Sequence, residues 1–152
     1  MKREYISSSS AKTKKLGEKL AKQILKKKLK KKAFIIGLEG ELGGGKTTFL
    51  QGFAKGLGIK EKITSPTFVI MKKFKIQHLK SNIQYLIHID CYRIKKPKEL
   101  LDLGFREIIS NPKNIVVIEW ADRIKKIMPK NSIWIEFKFI DENTREIMIK
   151  NF

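Results

Sequence analysis

A chain of 152 residues suits one domain, which on folding buries about 68–70% of the surface its unfolded form exposes, so neither disulfides nor a structural metal are needed. The single cysteine, Cys91, leaves no internal disulfide and implies no metal cluster, which fits a reducing cytosol. The 34 Lys+Arg against 15 Asp+Glu give a net charge of +19, which suits contact with RNA or another polyanion and also follows from a lysine-biased coding composition.

Met1–Ser10 contains no apolar h-region, and no apolar run approaches the roughly 20 residues of a spanning helix, so a cytoplasmic protein with no membrane partner is expected. Ser10–Lys32 reads as a basic helix, with Leu16, Leu20, Ile24 and Leu25 on one face and a serine at its start as the cap. An organellar targeting helix and a membrane-surface helix are the competing readings of that segment. Ala33–Glu39 is a short apolar run of the kind buried on both faces of a sheet. Lys46–Gly56 reads as a helix with Phe49, Leu50 and Phe53 inward. Phe68–Ile76 and Tyr85–Cys91 are expected strands joined by a polar turn near Lys80–Asn82, and Pro97–Ile109 is helical with a break near Gly104. Ile115–Trp120 is a second apolar strand ending in an acid; Ser132–Phe139 and Arg145–Lys150 alternate as a terminal hairpin. With no repeat and no linker, residues 1–152 read as a single α/β domain, the basic helix included.

Between the first apolar strand and the helix after it lies G-x-x-x-x-G-K-T, at Gly40, Gly45, Lys46 and Thr47. Glycines let successive backbone N–H groups turn toward one centre, and the helix N-terminus adds its positive pole, so the segment is built for phosphate. Lys46 is expected on the β- and γ-phosphates and the Thr47 hydroxyl on Mg²⁺. The base-reading N-K-x-D and the D-x-x-G switch of GTPases are both missing from the sequence, which favours ATP.

A phosphate loop also needs an acid at a strand end to hold Mg²⁺. Glu119 closes I-V-V-I and Asp90 closes the strand from Tyr85, so either fits; a solvated strand end and a helix cap are the structural alternatives. Thr64-Ser65-Pro66-Thr67 follows the loop where a switch segment or a plain Ser-Pro turn would lie. His88, within a strand, reads as a packed histidine, and Trp120 as core or partner surface.

Taken together and in this order, G-E-L-G-G-G-K-T-T-F, S-P-T-F, H-I-D-C-Y-R, E-L-L-D-L-G-F and V-I-E-W-A-D-R resemble the TsaE family, the ATPases of bacterial tRNA threonylcarbamoyladenosine biosynthesis, the likeness running from about Thr13 to Arg145. The resemblance implies a P-loop fold with a mixed, largely parallel central sheet flanked by helices. It implies a role in placing threonylcarbamoyl on N6 of adenosine 37 in tRNAs reading ANN codons, with TsaD and TsaB as partners and tRNA met through their complex. It also implies roles by position. Gly43, Gly44, Gly45, Lys46, Thr47 and Thr48 hold the phosphates, Thr47 and Glu119 attend Mg²⁺, and Asp90 is catalytic or orients water. Thr67 is the switch threonine, Thr13 contacts nucleotide and Arg145 lies near the base. Gly44 stands where alanine is common, and Ala121 replaces a proline found in some members. A small-molecule kinase, with Arg93 and Arg106 as its lid, and a nucleotide-gated RNA-binding module are the rival functions.

Overall fold

The computed structural model describes residues 2–28, 30–41, 43–64, 70–77 and 81–152. Its elements are β1 (Lys2–Ser7), α1 (Ser10–Leu25), β2 (Phe34–Gly40), α2 (Lys46–Gly56), β3 (Met71–Lys75), β4 (Tyr85–Asp90), α3 (Pro97–Leu101), α4 (Phe105–Ser110) and β5 (Asn114–Glu119). A 3-10 stretch, Ala121–Ile127, precedes β6 (Ile133–Phe139) and β7 (Arg145–Lys150). The two apolar runs become the neighbouring central strands β2 and β5 of one seven-stranded sheet, ordered β1-β7-β6-β2-β5-β4-β3. The four central strands, β6-β2-β5-β4, are parallel; β1, β7 and β3 join antiparallel at the flanks.

Strand side chains alternate between faces, and both faces of the central strands are covered. Phe34, Ile36 and Leu38 of β2 with Ile115 and Val117 of β5 pack against α1 and α2. Ile35, Val116 and Ile118 pack on the other face with Phe105 of α4 and with Ala121 and Ile124. The parallel strands all end at one edge, and the crevice outside the carboxyl ends of such strands is where ligands bind in open α/β sheets. The P-loop, Asp90 and Glu119 all lie at that edge.

Helix α1 is shorter than its sequence pattern suggests, ending at Leu25 rather than Lys32. Beyond Leu25, the described residues Lys26, Lys27 and Lys28 are exposed and offer no apolar face to bury. Ser9 is the cap, its side chain accepting from the Lys12 amide. Packing of α1 on α2 is close because Gly17 meets the Phe49 carbonyl and Gly52 meets the Lys14 backbone, where a Cβ on either would collide. The first strand, β1, was not expected from the sequence, nor was the 3-10 stretch. β3 begins at Met71; Phe68, Val69 and Lys80 of the expected strand and turn lie outside the described residues.

Candidate nucleotide-binding site

Strand β2 delivers the chain to Gly40, and α2 starts at Lys46. Gly45, the residue before α2, has φ of 99°, a left-handed conformation open to glycine and costly to a residue with Cβ. This places Lys46, Thr47 and Thr48 in the first turn of α2, whose N–H groups have no partner within the helix. Lys46 is buried, and its Nζ donates to the carbonyls of Gly40 (2.6 Å) and Glu41 (2.9 Å). The same ammonium lies 4.2 Å from the Trp120 ring centroid. Burial lowers the Lys46 pKa, against the opposing pull of Glu119, Asp122, Asp90 and Glu41. The loop thus holds a partly desolvated cation bonded to its own carbonyls, and an incoming phosphate would be a stronger acceptor than either.

The acids reach the loop through strand alternation. Leu86 faces α2, so His88 and Asp90 share its side of β4; Ile115 and Val117 do the same for Glu119 on β5. Asp90 and Glu119 pair directly in the β4–β5 register. Glu119 is only 2% exposed and is held at both ends. The Thr47 hydroxyl donates to its Oε1 at 3.2 Å, and His88 Nε2 lies 2.7 Å from its Oε2. Asp90 Oδ1 accepts from the Tyr92 amide. Its carboxyl is pushed above the ordinary aspartate range by burial first and by Glu119 next, with the Tyr92 bond opposing.

Two further predicted residues flank the loop from elements remote in sequence. Thr13 on α1 is buried, its hydroxyl 2.7 Å from that of Ser7, and its methyl would stand 3.8 Å from a Cβ at Gly45. Arg145, the first residue of β7, donates from Nε to the Gly43 carbonyl (2.9 Å) and from Nη1 to the carbonyls of Asp141 and Thr144. The close packing of α1 on α2 and the C-terminal hairpin therefore brace the loop from separate elements. Thr67, the expected switch threonine, lies outside the described residues.

An open groove of about 900 Å³ borders Gly40 and Glu41. Trp120, Tyr92 and Arg123 line it, the two rings 5.2 Å apart with the guanidinium over both. Glu39, Asp122 and Glu136 line it too, and Glu39 is pushed up by burial and then by those two neighbours. Such an acidic lining disfavours phosphate. Cys91 is fully buried and its thiol is pushed up to about 12, chiefly by burial, so it is no nucleophile.

The donor set suits a nucleoside triphosphate with Mg²⁺. Lys46 and the α2 amides would meet phosphate, while Thr47 and Glu119 place two hard oxygen groups together. Among the described residues no group of three or more His, Cys, Asp or Glu could enclose a metal. Mg²⁺ takes one or two protein oxygens and completes its shell with phosphate and water. Sequence reasoning assigned His88 to packing and missed its bond to Glu119. The alternation of H-I-D put His88 on the face of Asp90, but only the adjacency of β4 and β5 brings it to Glu119. Of the lid arginines of the kinase alternative, Arg93 and Arg106 are exposed, and Arg106 sits on α4 across the sheet from α2.

The family model described as "Threonylcarbamoyl adenosine biosynthesis protein TsaE" matches residues 7–147. The tRNA threonylcarbamoyladenosine biosynthesis protein TsaE of Bacillus subtilis is 38% identical over 113 residues, covering 74% of this chain and 66%, just under two thirds, of that protein. The protein of the same name from Treponema pallidum is 34% identical over 115 residues, covering 76% of this chain and 80% of its own. The crystal structure of Bacillus subtilis YdiB superposes with a TM-score of 0.73 at 30% identity, over 98% of this chain and 84% of that one.

Proposed function

This chain belongs to the TsaE family, and we propose that it is a Mg²⁺-dependent ATPase supporting threonylcarbamoylation of adenosine 37 in tRNAs that read ANN codons. Residues 1–152 act as one P-loop domain in the cytoplasm, with TsaD and TsaB as partners, and tRNA is met through their complex. The observation that carries this reading is the joining of Lys46, Thr47 and Glu119 around one loop, in a chain whose family match spans residues 7–147.

In this account Lys46 exchanges the Gly40 and Glu41 carbonyls for the β- and γ-phosphates, and the amides of Gly43–Thr48 hold the remaining oxygens. Thr47 and Glu119 hold Mg²⁺, which when bound offsets charge building on the phosphoryl oxygens. Asp90, beside Glu119 in the register, accepts from and orients the attacking water. Thr67 closes on the γ-phosphate, Thr13 contacts nucleotide, and Arg145 lies toward the base.

Low activity in isolation is expected, because the arginines seen near the loop are engaged. Arg145 is bonded to three carbonyls, and Arg123 lies over Tyr92 and Trp120. Partners would complete the charge and order the segment around Thr67, pressing on the site near Trp120. Steady-state ATPase assays with and without the TsaB–TsaD pair test this. A rate raised by the pair is expected, and an unchanged rate would remove the partner reading.

A further inference from the structure

Buried on β4, His88 belongs to no part of the chemistry described so far. Its side chain is 1% exposed and Glu119's is 3% exposed, and they meet at 2.7 Å. A carboxylate oxygen accepts, so His88 Nε2 carries the hydrogen and donates it. Nδ1 has no hydrogen-bond partner among the described residues, so the ring is anchored through Nε2. Its target oxygen, Oε2, is the one that does not meet Thr47, which bonds to Oε1.

We propose that His88 is a positioning residue for Mg²⁺: by fixing Glu119 Oε2 it sets the carboxylate plane and keeps Oε1 turned to Thr47. The inference rests on Glu119 being the Mg²⁺-associated acid. A carboxyl group held at one end swings about its last bond, whereas one held at both ends presents its oxygen in a single direction. Hydrogen bonds to a ligating carboxylate act on metal affinity in this way, and their loss costs about 10–100-fold. A histidine that merely filled the core would face apolar groups or a backbone carbonyl. This one faces the acid that closes β5, and both stand on the α2 side of the sheet.

The test titrates Mg²⁺ into a fluorescent ATP analogue bound to the purified full chain, with parallel titrations in EDTA and melting curves without nucleotide. Wild type is compared with His88→Leu, His88→Gln, His88→Asn and Glu119→Gln. Gln places its amide near the Nε2 position and Asn near Nδ1, short of Glu119. His88→Leu and His88→Asn should raise the Mg²⁺ midpoint about 10–100-fold, with nucleotide affinity in EDTA close to wild type, and His88→Gln should recover most of the loss. Adding His88→Leu to Glu119→Gln should produce no further shift, since the effect runs through that carboxylate. A Mg²⁺ midpoint unchanged in the Leu and Asn variants would overturn the proposal, as would equal losses with Mg²⁺ and in EDTA. If His88→Leu does not fold, equal midpoints for Gln and Asn overturn it and a recovered Gln beside a displaced Asn upholds it. A Glu119→Gln variant with an unshifted midpoint would instead remove Glu119 from the metal, a failure distinct from that of His88.

Discussion

Asp90 sits where chemistry and stability pull apart. Its carboxyl is raised by burial, so the folded protein holds a carboxylate that water would solvate better. Protein stability should therefore fall as pH rises from the ordinary aspartate value, about 4, through the raised folded-state value, and stay reduced above it. Asp90→Asn removes that charge and keeps an oxygen for the Tyr92 amide. It should melt higher than wild type at pH 7 without nucleotide, with the advantage shrinking as pH approaches 4, and its kcat should drop by about 10²-fold. Thermal melts across pH and a rate assay beside partners check both halves. A variant that melts no higher and turns over normally would make Asp90 a strand-end residue. The motif G-E-L-G-G-G-K-T and the two strand-end acids could be read from single residues and their spacing. His88 could not, because its partner is 31 positions away and the strand order decides the meeting.

At the level of elements, what decides legibility is burial on one face or two. The runs F-I-I-G-L and I-V-V-I bury both faces and announce β2 and β5 directly. β1, K-R-E-Y-I-S, is an edge strand with charged residues at its start, so its composition looks like a solvated terminus. The α1–α2 contact is written in glycines, a pattern that also marks turns, and its meaning appears only when Gly52 is seen against the Lys14 backbone. Gly52→Ala should push α1 away and destabilise the fold by about 1–3 kcal/mol, the usual range for overpacking. It should also weaken ATP binding, because Thr13 rides on α1 beside Gly45. Melting curves and calorimetric titration with ATP measure the two effects, and a variant equal to wild type in both would separate α1 from the site.

For the whole molecule, the parallel strands end together at the P-loop, and the antiparallel flanks carry Arg145 to the loop through β7. The sheet's mixed character came from the family resemblance, since strand order and direction are set by long-range pairing that periodicity does not encode. The +19 charge coexists with a groove lined by Glu39, Glu41, Asp122 and Glu136, so the positive charge is not spread evenly over the surface. The central claim is that a nucleotide held by Lys46 sustains repeated tRNA modification, and a reconstituted threonylcarbamoylation assay on unmodified tRNA tests it most directly. With TsaB and TsaD present, the account predicts many turnovers with wild type and, both with Lys46→Ala and without this chain, a yield that stops early. Equal multi-turnover yield in all three would contradict it.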